Sequence, residues 1–236
     1  LEEKIKTMKF RVPVSFLKKI GKITFSQKPS QTGQNVSEGN QIPISSKSDS
    51  DLNLNTVDAL IKSLSEKDPF VRAIGCEVLG KMREKKALKQ IMMLLKDPSK
   101  YVREKAAISL GQIGDKKAVP VLVEALEKDD AEEVRVTIAG VLGHLRDKIA
   151  VPALIKTLDD PSPTARMKAA ISLGLIGDPA AIPALYKVLK DPNELVRKYA
   201  CEALGNIGRS AIPALLLALK DDQVRAHAAQ VLTKIK

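Results

Sequence analysis

The sequence predicts an all-α protein of stacked helical pairs, and three regularities carry that prediction. An arginine recurs at Arg72, Arg103, Arg135, Arg166, Arg197 and Arg225, about every 31 residues. A Leu-Gly pair follows each of the first five, at Leu79-Gly80, Leu110-Gly111, Leu142-Gly143, Leu173-Gly174 and Leu204-Gly205. A proline opens a preceding helix at Pro120, Pro152, Pro183 and Pro213. A short helical pair cannot bury its apolar stripe alone, so copies in one register must stack.

The clearest copy runs from Pro152 to Ile182. Pro152 suits a first helical turn, where its missing N–H is no loss. Leu154, Ile155 and Leu158 then share one face at helical spacing. Asp160-Pro161 ends that helix, because the residue before a proline is pushed out of the helical region. Ala165, Ala169, Leu173 and Ile176 stripe the second helix, and Gly177 supplies a left-handed stop. The glycines inside the second helices each cost about 1 kcal/mol there, so a close helix contact is expected to require them.

In chain order, residues 1–25 form a basic leader, 26–52 a polar linker and 53–236 the array. The chain opens on Leu1, which reads as a fragment, a processed product or a start at Met8. Net charge is +11, and residues 1–28 hold eight Lys/Arg against two Glu, more than half of that excess. Phe16, Ile20 and Ile23 share a helical face, so residues 10–25 could lie on an anionic membrane or an acidic partner. Pro13 and Gly21 favour the plainer readings, a loosely ordered leader or a segment docked on the first repeat. The linker is rich in Ser, Gln, Asn and Gly and buries too little to offset its ordering entropy, so it reads as a flexible tether.

Asn55 or Thr56 can cap the first helix of the array, which bears Leu60, Ile61 and Leu64. The first copy ends irregularly, in MREKKALKQ. The second, fourth and fifth are regular. The third has Asp129-Asp130 for Asp-Pro and Leu145-Arg146-Asp147 for Ile-Gly-Asp. The sixth is short and has Thr233 in place of the internal glycine, as terminal copies depart from the pattern where one face meets water.

Aromatics make up 3% and Trp is absent, so Ala and Leu fill the packing positions. No apolar run approaches the roughly 18 residues of a membrane helix, and no signal-peptide pattern opens the chain. The expected location is cytoplasmic, with peripheral membrane contact through residues 10–25 as an option. Cys76 and Cys201 stand where other copies have Ala107, Ala139, Ala170 and Ala229, so both are read as buried packing residues. A reducing compartment fits them. His144 and His227 lie on different copies without metal-ligand spacing. With no phosphate loop, dinucleotide fingerprint or nucleophile elbow, no catalytic residue, metal or cofactor is expected.

The recurring Asp-Pro, Val-Arg, Ala-Ala, Leu-Gly, Ile-Gly-Asp and Ala-Ile-Pro, as in DPSKYVREKAAISLGQIGDKKAVP at 97–120, resemble HEAT repeats of the short class named after phycobilisome lyases. The resemblance covers roughly residues 56–236. It implies a right-handed α-α superhelix, a HEAT/armadillo-like solenoid of about six helix pairs, with first helices convex and second helices lining the concave side. It also implies a ladder between neighbouring repeats in which the register arginine pairs with a loop aspartate. Asp97 with Arg103 and Asp191 with Arg197 match that spacing, and Arg135 and Arg166 continue the column. The rival reading makes the arginines a phosphate-tracking ridge. Deoxyhypusine hydroxylases share the fold and hold iron with His-Glu pairs, but no His-Glu dipeptide occurs here.

On that architecture the groove is lined by Lys105, Ile108 and Gln112, then Val136, Thr137 and His144, then Met167, Lys168, Ile171 and Leu175, then Tyr199 and Glu202. Six of these are apolar where a solvated face should be polar, which marks a partner site unless superhelical curvature buries them. The expected function is a non-catalytic scaffold holding a protein or peptide in this groove. The alternatives are a phycobilin lyase subunit or phycobiliprotein maturation or degradation factor, and a nucleic-acid binder. The groove is no Lys/Arg stripe and lacks an aromatic platform, which disfavours nucleic acid.

Overall fold

A computed structural model describes residues 49–235, so the leader and nearly all of the linker lie outside the described residues. Among the described residues, twelve α-helices form six pairs: α1 (Asp49–Ser63) with α2 (Pro69–Lys81), α3 (Leu88–Met93) with α4 (Lys100–Ile113), and α5 (Val119–Lys128) with α6 (Glu132–Leu145). The array continues with α7 (Val151–Thr157) and α8 (Pro163–Ile176), α9 (Ile182–Val188) and α10 (Glu194–Ile207), and α11 (Ile212–Ala218) and α12 (Arg225–Leu232). Among the described residues there is no strand, and no helix is long and apolar enough to cross a membrane. α1 starts ahead of the expected Asn55 or Thr56 and takes in the last residues read as linker.

Three of the second helices, α2, α8 and α10, begin at a side chain that caps their first turn. The Ser162 hydroxyl accepts from the N–H groups of Thr164 and Ala165, and the Asn193 amide oxygen from those of Leu195 and Val196. The first five second helices run for 13 or 14 residues, nearly four turns. A short 3₁₀ turn then leads into the next first helix, a feature the periodicity did not reveal. Glu84, Asp115, Asp147 and Asp178 cap four of these turns by accepting from the N–H two residues on.

The second helices α2, α4, α6, α8 and α10 pack along one another, while consecutive first helices touch sparsely. The closely spaced layer is the inner one, so the stack curves with its second helices on the concave side. Between the layers runs one unbroken core. Leu79, Leu110, Leu142, Leu173 and Leu204 are fully buried from the second helices, and Ile91, Leu122, Leu154, Leu185 and Leu215 from the first. Each such side chain contributes about 1.5–3 kcal/mol.

The two cysteines sit in this core. Burial pushes the Cys76 thiol up to about 12 and the Cys201 thiol up to about 11. Both are expected to stay unmodified by a thiol reagent near pH 8 in the native protein and to react in denaturant. A thiol titration with and without denaturant checks this.

Candidate functional site

The register arginines build a column along the edge where first helix turns into second. Arg72 donates through Nε and Nη2 to the two carboxylate oxygens of Asp97, at 2.7 and 2.8 Å. The same fork joins Arg103 to Asp129, Arg135 to Asp160 and Arg166 to Asp191. Each aspartate therefore belongs to the repeat after its arginine. The within-loop pairing suggested by sequence spacing is corrected here: Arg103 reaches only the backbone carbonyl of Asp97, at 3.1 Å, and Arg197 only that of Asp191, at 2.8 Å. Six positions suffice for a side chain to reach back to a carbonyl, but stacking brings the following loop opposite the fork. The column stops at Arg197, whose buried Nε has no hydrogen-bond partner. The sixth loop is shorter, and its Asp221 accepts from the Gln223 N–H as the rung aspartates accept from the N–H two residues on.

These carboxylates are locked as well as paired. Burial alone would raise the Asp160 carboxyl, but hydrogen bonds from Arg135 and the Ser162 N–H, with the charges of Arg135 and Arg166, hold it below the usual range. Asp191 is held low in the same way by Arg166, the Asn193 N–H and Arg197. A guanidinium committed to four hydrogen bonds is unavailable to a phosphate, so the four closed rungs are structural.

The inner face presents a different surface. Ile108 on α4, Val136 on α6, Met167, Ile171 and Leu175 on α8, and Tyr199 on α10 are all half-buried. Curvature thus covers part of the strip and leaves part open. Lys105 forms an ion pair with Glu77 at 3.0 Å, Glu77 one with Lys81 at 2.6 Å, and the Lys105 ammonium lies 5.6 Å from the Tyr101 ring centre. The carboxyl of Glu77 is held low, mainly by the hydrogen bond from Lys81. Thr137 and Lys168 are half-buried, while His144 and Glu202 are exposed. The His144 Nδ1 lies 2.8 Å from the Gly140 carbonyl, which requires Nδ1–H as donor. The Lys168 stem crosses Gly140, its Cδ 3.2 Å from where a Cβ would stand.

Gln112 behaves differently from a groove residue. Its Oε1 turns back onto α2, 2.6 Å from a Cβ built on Gly80, and is buried without a hydrogen-bond partner. Sequence reasoning also missed Phe70, Tyr101 and Leu195, exposed apolar side chains at the starts of second helices. All three stand two residues before a register arginine, where other copies carry Glu133, Thr164 or Gln223, so the contrast in residue type was visible. Among the described residues, no group of three or more His, Cys, Asp or Glu side chains could hold a metal ion.

The geometry has counterparts among known proteins. A family model described as HEAT repeats matches residues 57–139, 121–194 and 182–236. A chain from the complex of CpcE and CpcF of phycocyanin lyase from Nostoc sp. PCC7120 is 27% identical, with TM-score 0.58, over 84% of this chain and 79% of that one. A designed armadillo repeat protein in complex with peptide (KR)4 is 20% identical, with TM-score 0.55, over 75% of this chain and 98% of that one. A mutant of Kap121p is 17% identical, with TM-score 0.61, over 78% of this chain and 24% of that one. The last two likenesses concern the fold alone. No curated protein sequence matches the chain.

Proposed function

Because the chain belongs to the HEAT-repeat family, we propose that it is a non-catalytic scaffold whose inner face holds a protein or peptide partner. One observation carries this reading: a half-buried aliphatic strip crosses four successive second helices, from Ile108 through Val136, Met167, Ile171 and Leu175 to Tyr199. Such a strip between charged groups, with Lys105 and Glu77 at one end and Glu202 at the other, has the anatomy of a protein interface. The test is the pair Ile171→Glu with Leu175→Glu, made in the full chain. A partner captured by the unaltered chain is expected to be lost by at least about tenfold, because hot-spot residues cluster at the centre of such strips. Undiminished capture with an unchanged helical CD spectrum would refute the reading.

A second reading is favoured by the 27% identity over 84% of the chain with the phycocyanin lyase complex. In it the partner is a phycobiliprotein or a second lyase subunit, and the chain assists bilin attachment. Co-purification with a phycocyanin subunit, abolished by the same pair of substitutions, supports it. A phycocyanin subunit that passes the immobilised chain unretained counts against it.

A further inference from the structure

The turns that lead from each second helix into the next first helix line the edge opposite the arginine column. On the column's edge most charges are paired, Arg197 being the exception: besides the rungs, Lys100 pairs with Glu133 at 2.9 Å and Arg103 with Asp130 at 2.6 Å. On the other edge Lys116 and Lys148 reach Asp147 and Asp178, at 4.0 and 3.3 Å, but Arg83, Lys85, Lys86, Lys117 and Arg146 are exposed. Among the described residues, none of the five has a carboxylate within ion-pair distance. The nearest acids in sequence, Glu84, Asp115 and Asp147, cap the 3₁₀ turns, and the cation that Asp147 meets is Lys116.

A second observation does not depend on charge. Gly114, Gly177 and Gly208 take positive φ at the ends of their second helices, where a side chain would be strained. Arg83 and Arg146 occupy the same register position at φ 53° and 49°. That conformation is sterically costly for any residue with a Cβ. The sequence accepts it twice, each time for an exposed cation, and strain of this kind points to use.

The cations recur at three successive junctions, so a partner must present anions over about two repeat spacings, roughly 20 Å. Ile149 stands in the same line and is 60% exposed. A phosphodiester backbone offers such a side chain nothing apolar, whereas the boundary between headgroups and acyl chains does. We propose that this edge docks on an anionic lipid surface, with the cations among the headgroups and Ile149 at the acyl boundary.

The test uses the full chain and sedimentation with vesicles of phosphatidylcholine alone or with about 30% phosphatidylserine, near 0.1 M salt. Selective partition onto the anionic vesicles is expected. Each basic residue near such a surface is worth about fivefold, so Lys85→Glu, Lys86→Glu, Lys117→Glu and Arg146→Gly together should reduce partition by at least about 30-fold. The last change also relieves the strained cap, so the variant should remain folded. A control carrying Lys96→Glu, Lys100→Glu, Lys156→Glu and Lys187→Glu should lose far less. Equal loss in the control, unchanged partition of the edge variant, or retention by duplex DNA with none by anionic vesicles would overturn the proposal.

Discussion

Replacing Asp160 by Ala is expected to lower the free energy of unfolding by about 3 kcal/mol, because it leaves a largely buried guanidinium unpaired. The Asp160 side chain is 8% exposed and that of Arg135 is 16% exposed, so little water is present to replace the carboxylate. Two hydrogen bonds from Arg135, at 2.8 and 3.1 Å, and one from the Ser162 N–H, at 2.9 Å, disappear together. The first two tie the third repeat to the fourth, and the last shapes the turn before α8. Asp160→Asn keeps an acceptor for the Ser162 N–H and should cost less, about 1–2 kcal/mol, the worth of the charge in the fork. Urea denaturation of the three proteins checks the order; a loss below about 0.5 kcal/mol for Asp160→Ala would show an exposed pair of ordinary worth. The pH dependence follows in sign. The folded carboxyls of Asp160 and Asp191 lie below their unfolded values, so their stabilisation is present above the unfolded value, near pH 4, and is lost as pH falls through the folded one. Asp160→Asn should therefore flatten the acid limb of the stability curve.

The repeat length, the pairing of helices and most helix ends were legible because each rests on local chemistry. Pro152 and Gly177 act at the ends where they stand, and the apolar spacing of Ala165, Ala169 and Leu173 needs no knowledge of neighbours. Contacts between copies were harder to read. Arg103 lies six residues from Asp97 and 26 from Asp129, yet it bonds the distant carboxylate, because register across the stack, and not chain distance, sets its partner. The same limit hid the fate of Gln112, which faces the groove by helical phase but folds over Gly80 of the repeat before. The left-handed arginines were hidden for another reason: at Arg146 the rule that such a cap takes glycine is broken, and only the backbone angle reveals it. The register positions of the inner strip could be counted along the sequence once the resemblance had supplied the architecture, but its half-burial depends on superhelical curvature, which no single copy encodes.

Gly143→Ala should destabilise the protein by about 1–3 kcal/mol although alanine is the better helix former. A Cβ at Gly143 would stand 2.8 Å from the Ser172 Cα and 2.7 Å from its Cβ, closer than backbone atoms of packed helices can approach. Nothing there yields easily. Ser172 is fully buried, and its hydroxyl donates to the Ala139 carbonyl at 2.7 Å, so α6 and α8 are pinned at this separation. The added methyl must push the helices apart and stretch that bond, which removes more than the roughly 1 kcal/mol of helix propensity it gains. Gly174 meets Ala203 Cα at 2.8 Å and should respond alike. Gly140 on the same helix as Gly143 provides the contrast. Its added Cβ would meet only the flexible Lys168 stem, at 3.2 Å, so Gly140→Ala should be neutral or stabilising by up to about 1 kcal/mol. Thermal and urea unfolding of the three variants side by side tests the idea that the second helices touch through their glycines. If Gly143→Ala proved as harmless as Gly140→Ala, the close approach of α6 and α8 would not be what the internal glycines serve.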